Sequence, residues 1–431
     1  MRKLKLTSET IDNILESLLK RSPNQYTEYE ATVNEIVNNV REKGDAAVFE
    51  YTKKFDGADI NASNVVVTKE EIEEAYKIVP AELIEVIRKA LVNIESYHAK
   101  QKQNSWFTSE EGIILGQKVS PLAKVGVYVP GGKAVYPSSV LMNVMPAKVA
   151  GVECIYMCTP CDKEGKVNPS TLVAANEAGV DVIYKCGGAQ AIAALAFGTE
   201  SIAKVDKIVG PGNIFVALAK KSVFGYVSID SIAGPSEILV LADETANPTY
   251  VAADLLSQAE HDELASAILV TTSEKLADEV AKEIERFVSI LSRKDIIQKS
   301  LDNFGYLLVA DNMKDAIDCV NAIASEHLEI VTANPFETMT YVKNAGAMFL
   351  GQYSSEPLGD YFAGPNHVLP TNGTARFFSP LSVDDFIKKS SIISYSKEAL
   401  EKVYPDIVKF ANNEQLTAHA NSIKVRFEHD L

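Results

Sequence analysis

Apolar positions along this chain follow two periods in turn. From Glu28 to about Lys102 they recur at helical spacing. Ile36, Val37 and Val40 fall on one stripe, Ile72, Ala75 and Ile78 on a second, and Leu83, Ile87, Leu91 and Ile94 on a third. Pro80 suits the first position of that third helix, where a missing N–H costs nothing. His98 falls on the polar side of the run and reads as solvated. After a strand-like region over 113–129, short apolar runs alternate with helical ones. Strands at 125–129, 154–157, 182–185, 207–209 and 227–229 are separated by helices at 138–149, 170–177, 189–197 and 213–221. A second series has strands at 238–241, 267–270, 306–309, 328–331 and 347–350, with helices near 249–260, 274–290, 313–324 and 336–344. Apolar strands joined through helices predict parallel sheets covered on both faces. The expected class is α/β, with two doubly wound, incomplete Rossmann-like parallel sheets and a crevice between them.

The two ends read differently. Residues 1–24 look like a short helical extension and a linker that closes with Arg21-Ser22-Pro23-Asn24. Beyond Pro380 the chain thins: 383–395 offer one short helix or strand, and 397–421 are helical with modest apolar content. Such a tail cannot bury a core alone and is expected to pack on a neighbour, such as another subunit. Neither an internal sequence repeat nor a low-complexity segment is visible.

Composition narrows the function classes. With 431 residues the chain is long enough for two or more domains, and 46% hydrophobic with 23% charged residues is ordinary for a soluble globular protein. A formal net charge of −16 argues against nucleic-acid binding, because nothing offsets phosphate repulsion. No apolar run approaches the ~20 residues needed to span a bilayer, and Met1-Arg2-Lys3-Leu4-Lys5 opens no signal peptide. A cytoplasmic location away from membranes is the expectation. Five cysteines, an odd and sparse set, imply reduced thiols. Cys158-Thr-Pro-Cys161 has redox or metal spacing, but it leads into a turn and lacks a second pair.

The candidate chemistry begins at Ser325-Glu326-His327-Leu328-Glu329, where a helical run meets an apolar one. An adjacent Glu and His suit proton transfer, since imidazole titrates near neutrality and a carboxylate can tune it. Three glycine turns follow strands of the first sheet: Gly126-Val-Tyr-Val-Pro-Gly-Gly132, Gly187-Gly188-Ala189-Gln190 and Gly210-Pro211-Gly212-Asn213. Each turn could be glycine for conformational reasons alone; three on one edge suggest a nucleotide or phosphate site. None carries the Gly-x-Gly-x-x-Gly fingerprint. Ala233-Gly234-Pro235-Ser236-Glu237 stands between the two series, and its Ser236 can bind a ligand or cap a turn. Gln258 and His261 share a helix face. His261, Asp360 and His419 are metal-ligating types from separated segments, and Glu414 shares the tail with His419, but spacing alone proves no metal site.

These stretches together resemble the histidinol dehydrogenase family. The likeness runs from about Val37 to His419. It rests on the motifs already given and on Tyr136-Pro137-Ser138-Ser139-Val140-Leu141-Met142, Gln258-Ala259-Glu260-His261 and Asn366-His367-Val368-Leu369-Pro370-Thr371. What the resemblance implies is specific. Glu326 and His327 match the catalytic acid–base pair. Gln258, His261, Asp360 and His419 match zinc ligands. Ser236, Gln258, His261, His327, Asp360, Glu414 and His419 match positions that contact L-histidinol, and Tyr128, Gln190 and Asn213 match positions that contact NAD. The implied reaction oxidises histidinol through an aldehyde to histidine with two NAD. The implied assembly is a homodimer whose C-terminal tail enters the partner's site. The corresponding domain division is a helical extension over 1–24, a larger α/β domain over 25–121 with 234–380, an NAD-binding domain over 122–233, and a helical dimerisation tail over 381–431. Two alternatives stay open from the residues themselves: a dehydrogenase of another amino alcohol, and a non-catalytic zinc protein that binds an imidazole ligand.

Overall fold

The computed structural model describes residues 1–21, 27–131 and 136–428. Ser22, Pro23, Asn24 and Gly132, named above, lie outside the described residues. The chain divides into two compact units: Met1–Gln101 with Leu122–Phe386, and Lys102–Pro121 with Ile387–Leu431.

The first unit holds two parallel sheets flanked by helices. In the first sheet the strands lie in the order Val182–Lys185, Cys154–Thr159, Lys124–Tyr128, Lys207–Val209, Ser228–Ile229, all parallel. Counted along the chain this is 3-2-1-4-5, the doubly wound arrangement whose order reverses beside the first strand. The second sheet repeats it with Gly305–Val309, Ser266–Thr271, Glu237–Ala242, His327–Val331 and Ala347–Leu350, all parallel. Its central strands are buried on both faces: Ile238, Val240 and Ala242 pack into one apolar cluster, Leu239 and Leu241 into the other. This explains why they read as unbroken apolar runs.

Three expectations need correction. The N-terminal extension is not only helical: Arg2–Lys5 is a strand that joins the outer edge of the second sheet, parallel to Gly305–Val309, before the helix Ser8–Leu19. Its four residues are exposed and mostly basic, as edge strands often are, so no apolar alternation announced it. His98 is buried, not solvated. The helix Ala81–Ala99 buries Ile84, Ile87, Leu91, Ile94 and His98, one stripe at spacings of three and four, and the imidazole continues it. Its Nδ1 meets Gln101 Oε1 at 2.7 Å, and Nε2 faces Asn366 Nδ2 at 3.4 Å. Conversely Ile78, assigned to a buried stripe, is exposed. The helix Lys294–Phe304 is an element the apolar periodicity did not announce.

The second unit is small. The strand Ile387–Tyr395 pairs antiparallel with Ile113–Pro121, which pairs antiparallel with Trp106–Glu110. The helices Lys397–Asn413 and Thr417–Lys424 follow. The tail is therefore strand as well as helix. Trp106, Phe107, Ile393 and Phe410 are exposed on it.

Candidate active site

The helix Met313–Ile323 ends at Ala324, a non-glycine residue in the left-handed region with φ 53°. That conformation costs on the order of 1–2 kcal/mol for an L-residue, and it reverses the chain so that Ser325 and Glu326 lead straight into the strand His327–Val331. His327 thus opens a strand hydrogen-bonded on both sides, in register with Ile238 and Ala347. Both members of the pair are buried.

A single neighbour holds both. The backbone N–H of Glu237 donates to Glu326 Oε2 at 2.9 Å, and the carbonyl of Glu237 lies 3.0 Å from His327 Nδ1. A carbonyl only accepts, so Nδ1 carries the proton in that contact, and the neutral ring keeps its lone pair on Nε2. Nε2 is buried without a hydrogen-bond partner, and Asp360 Oδ1 stands 3.7 Å from it. Burial raises the Glu326 carboxyl to about 8. Burial works against a charged His327, but Glu326, Asp360 and Glu356 outweigh it and carry the imidazole up to about 10. A cation held beside Asp360 would reverse part of that push.

The pair forms one wall of a cavity of about 400 Å³. Ser236, Gln258, His261, Asp360 and Asn213 line it as well, with Tyr136, Pro211, Tyr361 and His367. The helix Pro248–Ala259 places Gln258 in its last turn, and His261 follows at the rim. With the Gln258 amide oriented to satisfy its neighbours, the nitrogen donates to Glu356 at 2.5 and 3.0 Å and the oxygen accepts from Ser236 Oγ at 3.3 Å. Ser257 Oγ also donates to Glu356, to the Oε2 it shares with that amide, at 2.8 Å. Ligand atoms of His261, Glu356 and Asp360 all lie within 4.8 Å of one another, one nitrogen and two carboxylates of the types that hold zinc. Burial alone would raise Asp360, but His327, His367 and His261 hold it below its usual value, so it stays ionised. Burial lifts Glu356 to about 7. Glu356 was not singled out from the sequence. The signal was present: it precedes Asp360 by four residues on the short helix Glu356–Tyr361, hence on the same face. His367 was noticed but given no role; its Nδ1 meets the Asp360 carbonyl at 3.1 Å.

The first sheet supplies the opposite wall. Asn213 caps the helix Ile214–Val223, accepting from the N–H groups of Phe215 and Val216 at 3.1 and 3.2 Å. Gly210 has φ 120°, and a Cβ there would collide with the Tyr128 carbonyl, so this turn admits only glycine. Tyr128 is buried, its hydroxyl accepting from Gly188 N–H at 3.0 Å. Gln190 is buried at the start of the helix Gly188–Phe197 with both amide atoms unpartnered. An unsatisfied buried amide beside a helix N-terminus and a glycine turn suits a ligand with hydrogen-bonding groups. Glu414, at the end of the helix Lys397–Asn413, and His419, on the helix Thr417–Lys424, belong to the second unit, where both are exposed.

The cysteines stand outside this constellation. All five are free, and Cys158 pairs its thiol with Cys186 at 3.6 Å, not with Cys161.

Comparison with known proteins points one way. The family model for histidinol dehydrogenase matches residues 19–427. A histidinol dehydrogenase of Clostridium acetobutylicum is 61% identical over 418 residues, covering 97% of this chain and 96% of the relative. One from Caldanaerobacter subterraneus subsp. tengcongensis is 59% identical over 424 residues, covering 98% of each chain. The crystal structure of histidinol dehydrogenase from Elizabethkingia anophelis superposes with a TM-score of 0.93 at 40% identity, covering 99% of this chain and 98% of that one.

Proposed function

The chain belongs to the histidinol dehydrogenase family, and on that premise we propose that it oxidises L-histidinol by way of the aldehyde to L-histidine, the closing steps of histidine biosynthesis, using NAD and zinc. The observation that carries the mechanism is the free Nε2 of His327, buried on the cavity wall while Nδ1 is engaged by the Glu237 carbonyl. In the ring's neutral form that nitrogen takes the hydroxyl proton of the alcohol as its hydride leaves; a cation bound beside Asp360 would bring the ring towards that form by offsetting the acidic groups that raise it. Glu326, raised by burial towards the operating pH, draws a proton from the water that adds to the aldehyde. His327 accepts a proton again in the second oxidation. No cysteine is needed as nucleophile.

Tyr128, Gln190 and Asn213, with the glycine turns, would hold NAD, which supplies the hydride acceptor. His261, Asp360 and the Gln258 oxygen, with His419, would hold zinc, which supplies an anchor for nitrogen ligands of the substrate. Glu356 accepts from Gln258 and Ser257 and so fixes the amide in a ligating orientation. Ser236 and Glu414 complete the substrate contacts. Glu414 and His419 come from the tail of a second copy, in a homodimer. The exposed Trp106, Phe107, Ile393 and Phe410 support this, since so small a unit leaves apolar surface for a partner to cover. Among the described residues no helix is long and apolar enough to cross a membrane; a cytoplasmic enzyme without nucleic-acid or membrane partners is the reading we adopt.

The test is to mix the protein with NAD and L-histidinol and follow NADH at 340 nm, with and without a chelator. Two NADH per histidinol, lost on chelation and restored by zinc, are expected. One NADH would mean that the second oxidation is not this protein's chemistry. None from a folded, zinc-loaded dimer would overturn the enzyme reading.

A further inference from the structure

Residue 237 holds the acid–base pair through its backbone alone. Its N–H binds Glu326 at 2.9 Å and its carbonyl meets His327 Nδ1 at 3.0 Å. Its side chain points away from that pair into a buried ion pair: Arg21 Nη2 donates to Glu237 Oε1 at 2.6 Å, with the two side chains 1% and 3% exposed. Arg21 is itself fixed elsewhere. Nη1 donates to the Leu264 carbonyl at 2.6 Å, the guanidinium lies over the Phe304 ring at 4.9 Å, and the Arg21 N–H donates to the Leu18 carbonyl at 3.1 Å. A buried ion pair is a weak stability device, because desolvating two charges costs about what their attraction returns. What it does provide is a fixed geometry. Here the fixed atom group is the pair of peptides flanking residue 237, the same two that orient Glu326 and His327.

We propose that Arg21 and Glu237 are a positioning pair for the acid–base residues, with Arg21 locking the side chain of residue 237 so that its N–H and carbonyl hold Glu326 and His327 in register with the substrate. This rests on the catalytic roles proposed above. The bonds of the two side chains go to each other and to the Leu264 carbonyl, not to the proposed metal ligands or the glycine turns, so loss of the lock slows turnover more than it weakens binding. Both half-reactions suffer, because both catalytic groups hang on the same residue.

The experiment compares Arg21→Met, Arg21→Lys and the double variant Arg21→Met with Glu237→Gln, each loaded with zinc and NAD. In Arg21→Met, kcat falls on the order of 10- to 100-fold for histidinol and for histidinal alike, the scale set by small misplacements of reacting groups. KM for histidinol, KM for NAD and zinc content stay within about twofold, as expected of a change that leaves uniform binding alone. Arg21→Lys keeps the charge but one ammonium cannot serve both the Leu264 carbonyl and Glu237, so it rescues part of the loss. The double variant leaves no charge buried alone; it keeps the fold should Arg21→Met lose it, and its kcat remains low. Wild-type kcat in the double variant and in Arg21→Lys would overturn the proposal and reduce the pair to a stability element. Glu326→Gln and His327→Asn are run beside them. If those two are unimpaired, the catalytic assignment itself fails; if they are impaired while the Arg21 variants are not, only the positioning role fails.

Discussion

On the mechanism proposed above, replacing Glu326 by Gln should separate the two oxidations. The amide is nearly isosteric, and its oxygen can keep the 2.9 Å bond from the Glu237 N–H. His327 stays oriented because Nδ1 is committed to the Glu237 carbonyl, not to Glu326, whose Oε2 is 3.6 Å away. What disappears is a proton acceptor that burial places at about 8, near the pH at which a general base is most effective. A positioned general base contributes about 10² to 10⁴ in rate, or roughly 2.7 to 5.4 kcal/mol of barrier at 1.36 kcal/mol per decade. Aldehyde oxidation should therefore slow by about that factor. Alcohol oxidation, whose proton goes to His327 Nε2, should slow by no more than about tenfold, the effect of removing one charge beside the imidazole. Rapid mixing with histidinol and NAD, read at 340 nm, should show the first NADH per site formed at near-normal rate and the second delayed. Supplying the aldehyde directly should show only the defect. Equal slowing of both steps would refute the division of labour, and so would a normal second step.

Two further outcomes follow from the backbone and from burial. Gly210→Ala forces a Cβ onto the Tyr128 carbonyl at φ 120°, a strain on the order of 1–3 kcal/mol; thermal unfolding should show a lower Tm, and KM for NAD should rise more than KM for histidinol. Asp56 lines a second cavity with Pro130 and Cys161, its Oδ2 is buried without a partner, and burial lifts its carboxyl to about 6. Because the folded state raises this pKa, ionisation destabilises the fold as pH climbs from about 4 to 6, and the penalty persists above that window. Asp56→Asn should thus raise Tm at pH 7.5, by an amount worth on the order of 1–2 kcal/mol after discounting for solvent screening, and should change nothing below pH 4; a Tm gain independent of pH would show that the carboxylate is not the cause.

Much of this was legible in the sequence because burial on both faces leaves an unmistakable trace. The strands Glu237–Ala242 and Ser266–Thr271 are buried at every position, and within them 238–241 and 267–270 read as continuous apolar runs. Where burial is one-sided or shared with polar groups, the trace weakens. The Arg2–Lys5 strand has backbone bonds on one side only and charged side chains outward, so pattern could not reveal it. His98 continues an apolar stripe, but its residue type suggested water; its buried nitrogens meet Gln101 and Asn366. Arg21 read as part of a linker because its partner, Glu237, is 216 residues away in sequence. Glu356 was hidden among the Gly- and Pro-rich loops, where a six-residue helix gives too few turns for periodicity to show. Residue chemistry marked Glu326 and His327 as candidates for proton transfer; only packing discloses what orients them.

The two sheets share one strand order, yet they face the cavity with opposite edges. The first presents the carboxyl ends of its strands, where Gly210–Asn213 follows Lys207–Val209. The second presents amino ends, since Ser236 precedes Glu237–Ala242 and Glu326 precedes His327–Val331. Helices in parallel sheets run opposite to their strands, so the cavity receives helix N-termini from one side and helix C-termini from the other. On the first side begins Ile214–Val223, capped by Asn213; on the second ends Pro248–Ala259, with Gln258 in its last turn. Helix N-termini carry partial positive charge and favour anions, while C-termini carry partial negative charge and favour cations. A dinucleotide's phosphates and a divalent metal, as proposed above, would thus each have a preferred wall before any side chain is considered. The side chains agree with that polarity: the capping Asn213 on one side, and His261 and Asp360 opposite. On the function proposed above, hydride acceptor and metal would take separate sides of one cavity, with Glu326 and His327 on the metal's side, at the start of the strand next to the order reversal.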